Sequence, residues 1–489
     1  MTHIPVLLVM VPLVGAALTF VVGHRLAPYV GVIVAVVTAG LAGWLAVDVL
    51  ENGATRYTIG GWGAPLGIDL VADGTAAVFL LLSAIVGLTV TVYATGYFRH
   101  SENARGHDYF PTLWLFMWTA LNGLFLTGDV FNVYVCLELV GMSAVALVAI
   151  AEGAKALRAA LRYLFASILA AMTYLMGVAL LYAATGLLDM ELLRTAGTWD
   201  VTATTGASLM IAALVLKTAL VPAHFWLPSA HSAAPTPVSA ILSALVVKGS
   251  YFVLLRLVFD VAPEGALGAV PQLLGVLGAV AVVWGSVQAF LQTRVKLLVA
   301  YSTVAQIGYL FFVFPLATAS SEVLTTAFSG ALMHATAHGL AKTAMFLAAG
   351  GLITRFGHDR IAEMAGAARR TPVLVSTFAL AGITMMGLPP SGGFAAKWLL
   401  VSASLASGAW WWAAVIVLGG LLAAVYVFRA VQVFMDDGSP AVDTLPAPLR
   451  MEWLPLALAA FSVGLSFASP LIIRLAEAGS VLVRAGVTP

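Results

Sequence analysis

Apolar runs of about 20 residues follow one another along almost the whole chain, and this repetition constrains the fold more than any other feature. A helical run of this length matches the ~30 Å hydrocarbon thickness of a bilayer. The composition agrees, because 61% of the residues are hydrophobic and only 9% are charged, whereas soluble domains carry about 25% charged residues. The sequence therefore predicts an all-α integral membrane protein that crosses the membrane many times.

We predict 14 transmembrane spans in a single membrane domain that covers residues 1–489. In chain order they are 4–22, 28–49, 74–97, 110–127, 130–151, 161–185, 205–228, 236–259, 265–290, 295–316, 323–353, 372–403, 408–434 and 452–475. The first run has no basic segment before it and is long enough to span, so we read it as a helix and not as a cleaved signal peptide.

Lysine and arginine are distributed unevenly between the loops on the two sides of the membrane. With the spans alternating, one side holds 14 of these residues and the other holds 4. Basic loops face the cytoplasm in most membrane proteins. We therefore expect a multi-pass protein of the cell's inner (plasma) membrane with both termini on the outer side.

Two spans are interrupted near the middle by proline and glycine. Span 7 contains Pro222 and Pro228, and span 12 contains Pro389 and Pro390. Proline removes a helical hydrogen bond, and irregular backbone at membrane depth persists only where protein or water covers it. Broken helices at matching places in two halves are typical of inverted-repeat transporters. We predict two inverted five-helix repeats, spans 4–8 and 9–13, with helices 7 and 12 broken.

One outer loop, residues 51–74, differs from the others in its pattern. It alternates apolar and polar residues and has a turn signal at Gly60 and Gly61. This pattern predicts a short β-hairpin lid on the outer face.

Four lysines and one glutamate lie in stretches that otherwise read as membrane, where a charge costs about 2.5–3.5 kcal/mol. They are Glu138, Lys217, Lys248, Lys342 and Lys397. Glu138 and Lys217 form a candidate pair in which a small movement of the carboxylate would switch the lysine between holding and releasing a proton. The alternative is a fixed ion pair that ties two helices together. Lys248 has no acid in its own span and lies too deep to reach the interface, which favours a functional role.

His334, His338 and Lys342 are spaced four residues apart and share one helical stripe. Histidine titrates near neutral pH, so this stripe suits a proton relay. Polar contacts between helices are the alternative. A metal site is not expected, because the segment HATAH lacks the glutamate of an HExxH motif and no third ligand is evident.

Several other polar residues have two possible roles. Lys397 follows the second break and is either the far end of a path or a partner for a headgroup. His224 and His231 flank the first break and either extend the path to the inner face or cap broken backbone. Asp129 is predicted to be a helix N-cap, and Arg256, near a span end, to have a structural role.

Four segments together resemble a known family: LNGLFLTGDVFNVYVCLE, LKTALVPAHFWLPSAHSAAPTPVSAILSALVVKG, HATAHGLAKTAMFLAAG and GLPPSGGFAAKW. They are similar to the antiporter-like subunits shared by respiratory complex I, membrane-bound hydrogenases and Mrp-type cation/proton antiporters, over roughly residues 70–435. The resemblance implies 14 helices in inverted repeats, with a hydrated axis of charged residues at mid-membrane. It implies that the axis contains Glu138, Lys217, Lys248, His334, His338 and Lys397.

Within this family the segment GGWGAPLGIDLVADG looks most like the D-type subunit of Mrp antiporters. We therefore expect a proton-translocating subunit of a multisubunit sodium/proton antiporter, with other membrane subunits, the lipid bilayer, protons and Na⁺ as its partners. Two alternatives remain: a proton-pumping subunit of a redox-driven complex of the NADH-quinone oxidoreductase or hydrogenase type, and a non-conducting scaffold.

We expect this chain to hold no cofactor and no metal, and to have no enzymatic redox centre of its own. It has one cysteine, which excludes a Cys-built cluster, and it shows no GxGxxG segment after a strand. A net charge of +1 gives no electrostatic reason for binding nucleic acid.

Overall fold

The computed structural model describes residues 3–100, 104–316, 320–436 and 448–478, most of which are helical. The first half contains α1 (Ile4–Val22), α2 (Ala27–Asn52), α3 (Gly74–Tyr97), α4 (Ala104–Leu126), α5 (Val130–Ala149), α6 (Gly153–Thr185), α7 (Met190–Thr195), α8 (Val201–Thr218), α9 (Leu227–Ala233), α10 (Thr236–Ile241) and α11 (Val247–Arg256). The second half contains α12 (Val270–Leu291), α13 (Val295–Leu310), α14 (Val313–Leu316), α15 (Ser321–Phe356), α16 (Ala367–Arg370), α17 (Pro372–Met386), α18 (Gly392–Ala406), α19 (Trp410–Met435), α20 (Arg450–Gly464) and α21 (Ser469–Glu477). Helices α10 and α11 belong to one continuous helix, Thr236–Val261, with wider π-helical turns at Leu242–Val246 and Leu257–Val261.

Every predicted span overlaps helix in the part of the chain that the structure describes. Within those residues, 11 helices are long and apolar enough to cross a membrane. The other predicted spans correspond to α4, α15 and the broken pair α17 and α18, whose members have 15 residues each. The all-α membrane fold is confirmed, and the number of 14 crossings stays a prediction.

The first break lies between α8 and α9. After Thr218, Ala219 takes a left-handed backbone conformation with φ 58°, and helix resumes only at Leu227. Pro222 lies inside this irregular segment, where a missing N–H costs no helical hydrogen bond. Pro228 lies in the first turn of α9, a position where proline is well accommodated, so it marks the restart of the helix.

The second break separates α17 from α18. Gly387 ends α17 with φ 82°, a conformation that favours glycine. Pro389 and Pro390 follow, and Ser391 then caps α18 by accepting a hydrogen bond from the Phe394 N–H at 3.1 Å. Each break follows a helix of more than 30 residues, α6 with 33 and α15 with 36. This order agrees with the predicted repeats of spans 4–8 and 9–13.

The predicted hairpin is present between α2 and α3. Strands β1 (Thr55–Thr58) and β2 (Asp69–Ala72) pair antiparallel, with Thr55 opposite Ala72. Gly60 and Gly61 both have positive φ, at 67° and 79°, and they turn the chain after β1.

The centre of the bundle contains the continuous helix Thr236–Val261, the α13 region and α15. The apolar window of Thr236–Val261 is 100% buried inside the protein, against 28% for Arg450–Glu477. A helix buried on all sides must satisfy its polar side chains within the protein. The ionisable residues on these central helices are therefore held in a low-dielectric interior.

Candidate functional site

Glu138 and Lys217 lie close together but do not form a contact ion pair. The Lys217 ammonium donates hydrogen bonds to the Leu137 carbonyl and to Ser167 Oγ, both at 3.1 Å. Glu138 attracts this ammonium electrostatically, yet it has no ion-pair partner within 4.0 Å among the described residues. Its Oε1 atom is buried and accepts no hydrogen bond from described protein atoms. The two charges are coupled while the lysine is held by neutral groups.

Polar atoms lead from Lys217 towards the central helix. A cavity of about 20 Å³ is bordered by Lys217, Ser167 and Ser250, and a cavity of ~10–15 Å³ is enough for one water molecule. Thr218, next to Lys217, donates to Ser250 Oγ at 3.0 Å. Ser250 follows Lys248 by two residues, so hydroxyl groups lie on both helices between the two lysines.

Lys248 is fully buried and has only a neutral partner. Its ammonium donates to the Ser243 carbonyl at 2.9 Å, within the π-helical turn Leu242–Val246. Such wider turns are frequent at functional sites. Ser243 Oγ also bonds Thr303 Oγ1 at 2.9 Å, which connects the central helix to α13. No carboxylate pairs with Lys248 within the described ranges.

His334 and His338 are stacked neighbours on α15, as the stripe predicts. Their ring centroids are 5.8 Å apart with an interplanar angle of 14°. His334 Nε2 lies 3.0 Å from the Gln306 carbonyl oxygen. Both ring nitrogens of His338 are buried without a hydrogen-bond partner among the described protein atoms.

His338 lies at the electrostatic centre of the site. Lys248, Lys342, Lys397 and His334 all act on its charge. The structure therefore brings three of the sequence-predicted lysines together around the histidine pair. We call these three lysines and the two histidines the central cluster. Because like charges repel strongly in a low-dielectric interior, the protonation of each group depends on its neighbours.

Lys342 continues the stripe but turns towards α13. It donates to the Val299 carbonyl at 2.6 Å and to Ser302 Oγ. His231 lies nearby, fully buried, and stacks on Phe346 at 5.0 Å between ring centroids. Neither His231 ring nitrogen has a partner in the described part of the chain. Its side chain therefore faces the central cluster and does not cap the break.

Lys296 lies beside the site, although it was not singled out from the sequence. Lys296 is the second residue of α13, is 7% exposed, and donates to the Ala234 carbonyl at 2.5 Å. It acts electrostatically on His231. The sequence contained the signal, because Lys296 falls at the very start of the predicted range of span 10. It adds a branch to the cluster beside Lys342 and His231.

Lys397 lies at the second break, near the start of α18. Its ammonium donates to the carbonyls of Met385 and Met386, at 2.6 and 3.1 Å, where α17 ends. A cation at a helix C-terminus is stabilised by the helix dipole. The ammonium also lies 4.6 Å from the centre of the Tyr309 ring, which itself contacts His334 at 5.2 Å. Tyr309 was not singled out from the sequence.

Two candidates lie at the edge of the site. His224 is half-buried in the first break and accepts a hydrogen bond from Trp284 Nε1 at 3.3 Å. It therefore faces α12 and not the cluster. Asp129 caps α5 by accepting a hydrogen bond from the Asn132 N–H at 2.7 Å, as predicted.

Arg256 is held by two aspartates, of which Asp73 is distant in sequence. It donates to both Asp73 oxygens, at 2.5 and 2.6 Å, and to Asp260 at 2.6 Å. Asp73 also caps α3 by accepting from the Ala76 N–H at 2.9 Å. Asp260 was detectable, because it follows Arg256 by four residues. The predicted structural role of Arg256 agrees with this saturated network.

The site consists mainly of buried lysine and histidine side chains. Across the described ranges, no group of three or more His, Cys, Asp or Glu side chains is arranged to hold a metal ion. The central cluster instead contains lysines bound to carbonyls and hydroxyls, and histidines with free ring nitrogens. Such groups exchange protons when the charge on a neighbour changes.

Known proteins share this sequence and fold. A family model described as NADH:quinone oxidoreductase/Mrp antiporter, TM, matches residues 127–423. NADH-quinone oxidoreductase subunit N of Desulforudis audaxviator is 37% identical over 438 residues, covering 88% of this chain and 86% of the relative. The D-type subunit of the Na(+)/H(+) antiporter of Bacillus subtilis is 30% identical over 394 residues, covering 80% of this chain and 78% of the relative.

A solved structure extends the comparison to nearly the full chain. A subunit of the membrane-bound sulfane sulfur reductase, an archaeal respiratory membrane complex, has 27% identity and a TM-score of 0.89, with 99% of each chain covered. The comparisons do not favour the narrower expectation of a D-type Mrp subunit, because the oxidoreductase relative is more similar to this chain than the antiporter relative is. The broader expectation is confirmed: the chain is an antiporter-like membrane subunit that belongs to the NADH:quinone oxidoreductase/Mrp antiporter family.

Proposed function

We propose that this chain translocates protons across the membrane as one subunit of a multisubunit complex. The proposed path contains, in order, Glu138, Lys217, Lys248, the pair His338 and His334, and Lys397, with Lys342, His231 and Lys296 as a side branch. One observation carries the proposal: His338 is buried among cations, and neither ring nitrogen has a hydrogen-bond partner among the described protein atoms. Buried polar groups with a purely structural role are hydrogen-bonded.

The driving principle is mutual repulsion between buried cations. Two unit charges 4 Å apart interact by roughly 4 kcal/mol at an effective dielectric constant near 20. Protonation of one group in the cluster therefore favours release of a proton from its neighbour. A change in the charge or position of Glu138 or Lys217 therefore alters the protonation of Lys248, and each later group on the path responds to the group before it. The carbonyls and hydroxyls that hold the lysines accept a hydrogen bond from the amine whether it is charged or neutral.

The relatives favour a redox-driven complex as the setting. The more similar of the two curated relatives is a subunit of an NADH-quinone oxidoreductase, so we infer that partner subunits supply redox energy and that this chain conducts protons. Sodium/proton exchange is the second candidate, favoured by the Na(+)/H(+) antiporter relative. In either case the partners are other membrane subunits, and the loop charges support a plasma-membrane location with both termini outside.

The proposal is tested by proton movement in inverted vesicles that contain the intact complex. The wild type is compared with Lys217→Ala and with the control Lys155→Ala, which changes an exposed lysine at the start of α6. Vesicles receive NADH or a hydrogen donor in one series, and sodium pulses without redox substrate in the other. A pH change is recorded with an internal dye.

The expected result is acidification on addition of the reductant that is lost in Lys217→Ala and kept in Lys155→Ala. A pH change that follows sodium pulses alone would assign the chain to the antiporter class. Full proton movement in Lys217→Ala, with normal assembly, would reject the proposed path and leave a scaffold role.

A further inference from the structure

A cavity of about 340 Å³ opens at the end of the bundle that carries the β-hairpin. This end faces outwards in the proposed orientation. The cavity lies among charged and small residues, including Arg56, Val71, Thr127, Glu191, Arg256 and Asp260. Its volume is sufficient for several water molecules, each of which takes ≈ 30 Å³ in the liquid.

The rim of this cavity is fixed in place by ion pairs. Arg56 on β1 binds Asp69 on β2 at 2.7 Å and also binds Asp189, just before α7. Asp69 is 3% exposed, and its second oxygen, Oδ1, has no hydrogen-bond partner among described protein atoms. The hairpin is therefore anchored at the rim by these two ion pairs.

The floor of the cavity is a charged group of three side chains. Arg256 reaches it from the continuous central helix, between Asp73 and Asp260. These side chains are almost fully buried beneath the cavity, with relative exposures of 8%, 0% and 4%.

An apolar layer separates this floor from Lys248. The Arg256 guanidinium lies 5.0 Å from the ring centre of Phe252, one turn further along the helix. Phe252 contacts Phe79 at 5.3 Å and Phe125 at 5.2 Å, and the latter two rings are 5.4 Å apart. All three rings are buried. Lys248 lies one further turn below Phe252, so these rings stand between the cavity and the cation cluster.

We propose that this cavity is the outer access chamber of the proton path, closed from Lys248 by the layer of Phe79, Phe125 and Phe252. The proposal rests on the proton path proposed above. Protons move between the chamber and Lys248 only when the aromatic layer opens to water. In its closed arrangement, the layer prevents a continuous water chain and so prevents passive leakage.

The chamber is tested first by its access to water, which requires no transport activity. Val71 lines the cavity, whereas the next residue, Ala72, is fully buried. Val71→Cys and Ala72→Cys are made in the intact complex with Cys136→Ala as background, and treated from the outer side with a charged, membrane-impermeant thiosulfonate. Since only a solvated thiolate reacts, we expect Val71→Cys to react at least about tenfold faster than Ala72→Cys. Equal rates would reject the chamber.

The aromatic layer is tested by passive proton leakage in inverted vesicles that contain the intact complex and receive no driving substrate. Phe252→Ala is expected to increase leakage severalfold over the wild type. Phe259→Ala is the matched control on the same helix, because Phe259 packs on Phe314 and Phe328 away from the cavity. Equal leakage in both variants would reject the layer as the barrier. If Phe252→Ala does not assemble, Phe252→Leu replaces it with the same expectation.

These results are separable from those on the proton path. Loss of transport in Lys217→Ala together with an unreactive Val71→Cys would keep the path and remove the chamber. A reactive Val71→Cys with full transport in Lys217→Ala would keep a water-filled cavity but remove its role as proton access.

Discussion

Lys248 and Arg256 are two buried cations on the same helix, α11, but they differ in their partners. Arg256 contacts two carboxylates, Asp73 and Asp260. Lys248 contacts one neutral carbonyl, that of Ser243. A paired charge holds helices together and keeps its proton, whereas an unpaired charge in a low-dielectric interior changes protonation easily. The comparison separates the paired charges near the hairpin end from the unpaired charges to which we assign proton transfer.

The first prediction compares the same substitution at both positions. Arg256→Met leaves two buried aspartates without their partner and should lower the free energy of unfolding by about 3–5 kcal/mol. Lys248→Met removes an unpaired charge and should leave stability unchanged or raise it. Thermal unfolding of the purified complex, followed by the loss of helical circular dichroism, compares the two variants without requiring transport activity. A large loss of stability in Lys248→Met would mean that this lysine is also structural.

The second prediction compares the same substitution at His338 and at His334. His338→Gln should reduce proton transport by about tenfold or more, because His338 is the ring that is free to exchange protons. His334→Gln should have the smaller effect, because an amide retains a hydrogen bond to the Gln306 carbonyl. Proton flux per assembled complex is the measurement. Equal losses would show that the two rings act as one unit.

The third prediction concerns the second break. Gly387→Ala forces alanine into a left-handed conformation that costs roughly 1–2 kcal/mol, and its Cβ would lie 2.7 Å from Lys397 Cδ. Gly408→Ala imposes similar backbone strain at φ 75° but meets nothing within 4 Å. Both variants should lose similar stability, and only Gly387→Ala should lose transport. Normal transport in Gly387→Ala would show that the position of Lys397 is not critical.

The smallest expected effect is at Asp129, which caps α5, the helix that carries Glu138. Asp129→Ala should lower stability by about 1 kcal/mol, while Asp129→Asn keeps the cap and should be nearly neutral. Transport should remain normal in Asp129→Asn, since no carboxylate charge is needed there. Loss of transport in Asp129→Asn alone would place this carboxylate on the proton path.

The sequence predicted the features that depend on local pattern. The spans, the breaks at Pro222 and Pro389 and the hairpin turn at Gly60 all follow from runs of apolar, proline and glycine residues. The stacking of His334 on His338 also followed from their spacing on one helix.

Contacts between distant segments could not be derived in this way. Asp73 meets Arg256 across 183 positions of sequence, and Tyr309 meets Lys397 only through the packing of α13 against α18. Lys296 lies at the start of predicted span 10, but hydropathy did not indicate that its side chain would donate to the Ala234 carbonyl of a distant segment. Which side chains meet inside a membrane bundle depends on tertiary packing, and a single sequence does not show which distant segments pack together.

The most direct test of the central claim is proton translocation by the intact complex with Lys248→Met, driven by its own reductant and, separately, by sodium pulses. Lys155→Met is the matched control, because it removes an exposed lysine by the same substitution. We predict that Lys248→Met assembles normally and moves no protons under either condition, while Lys155→Met transports like the wild type. Undiminished proton translocation in Lys248→Met would contradict the claim that the unpaired buried cations carry the protons.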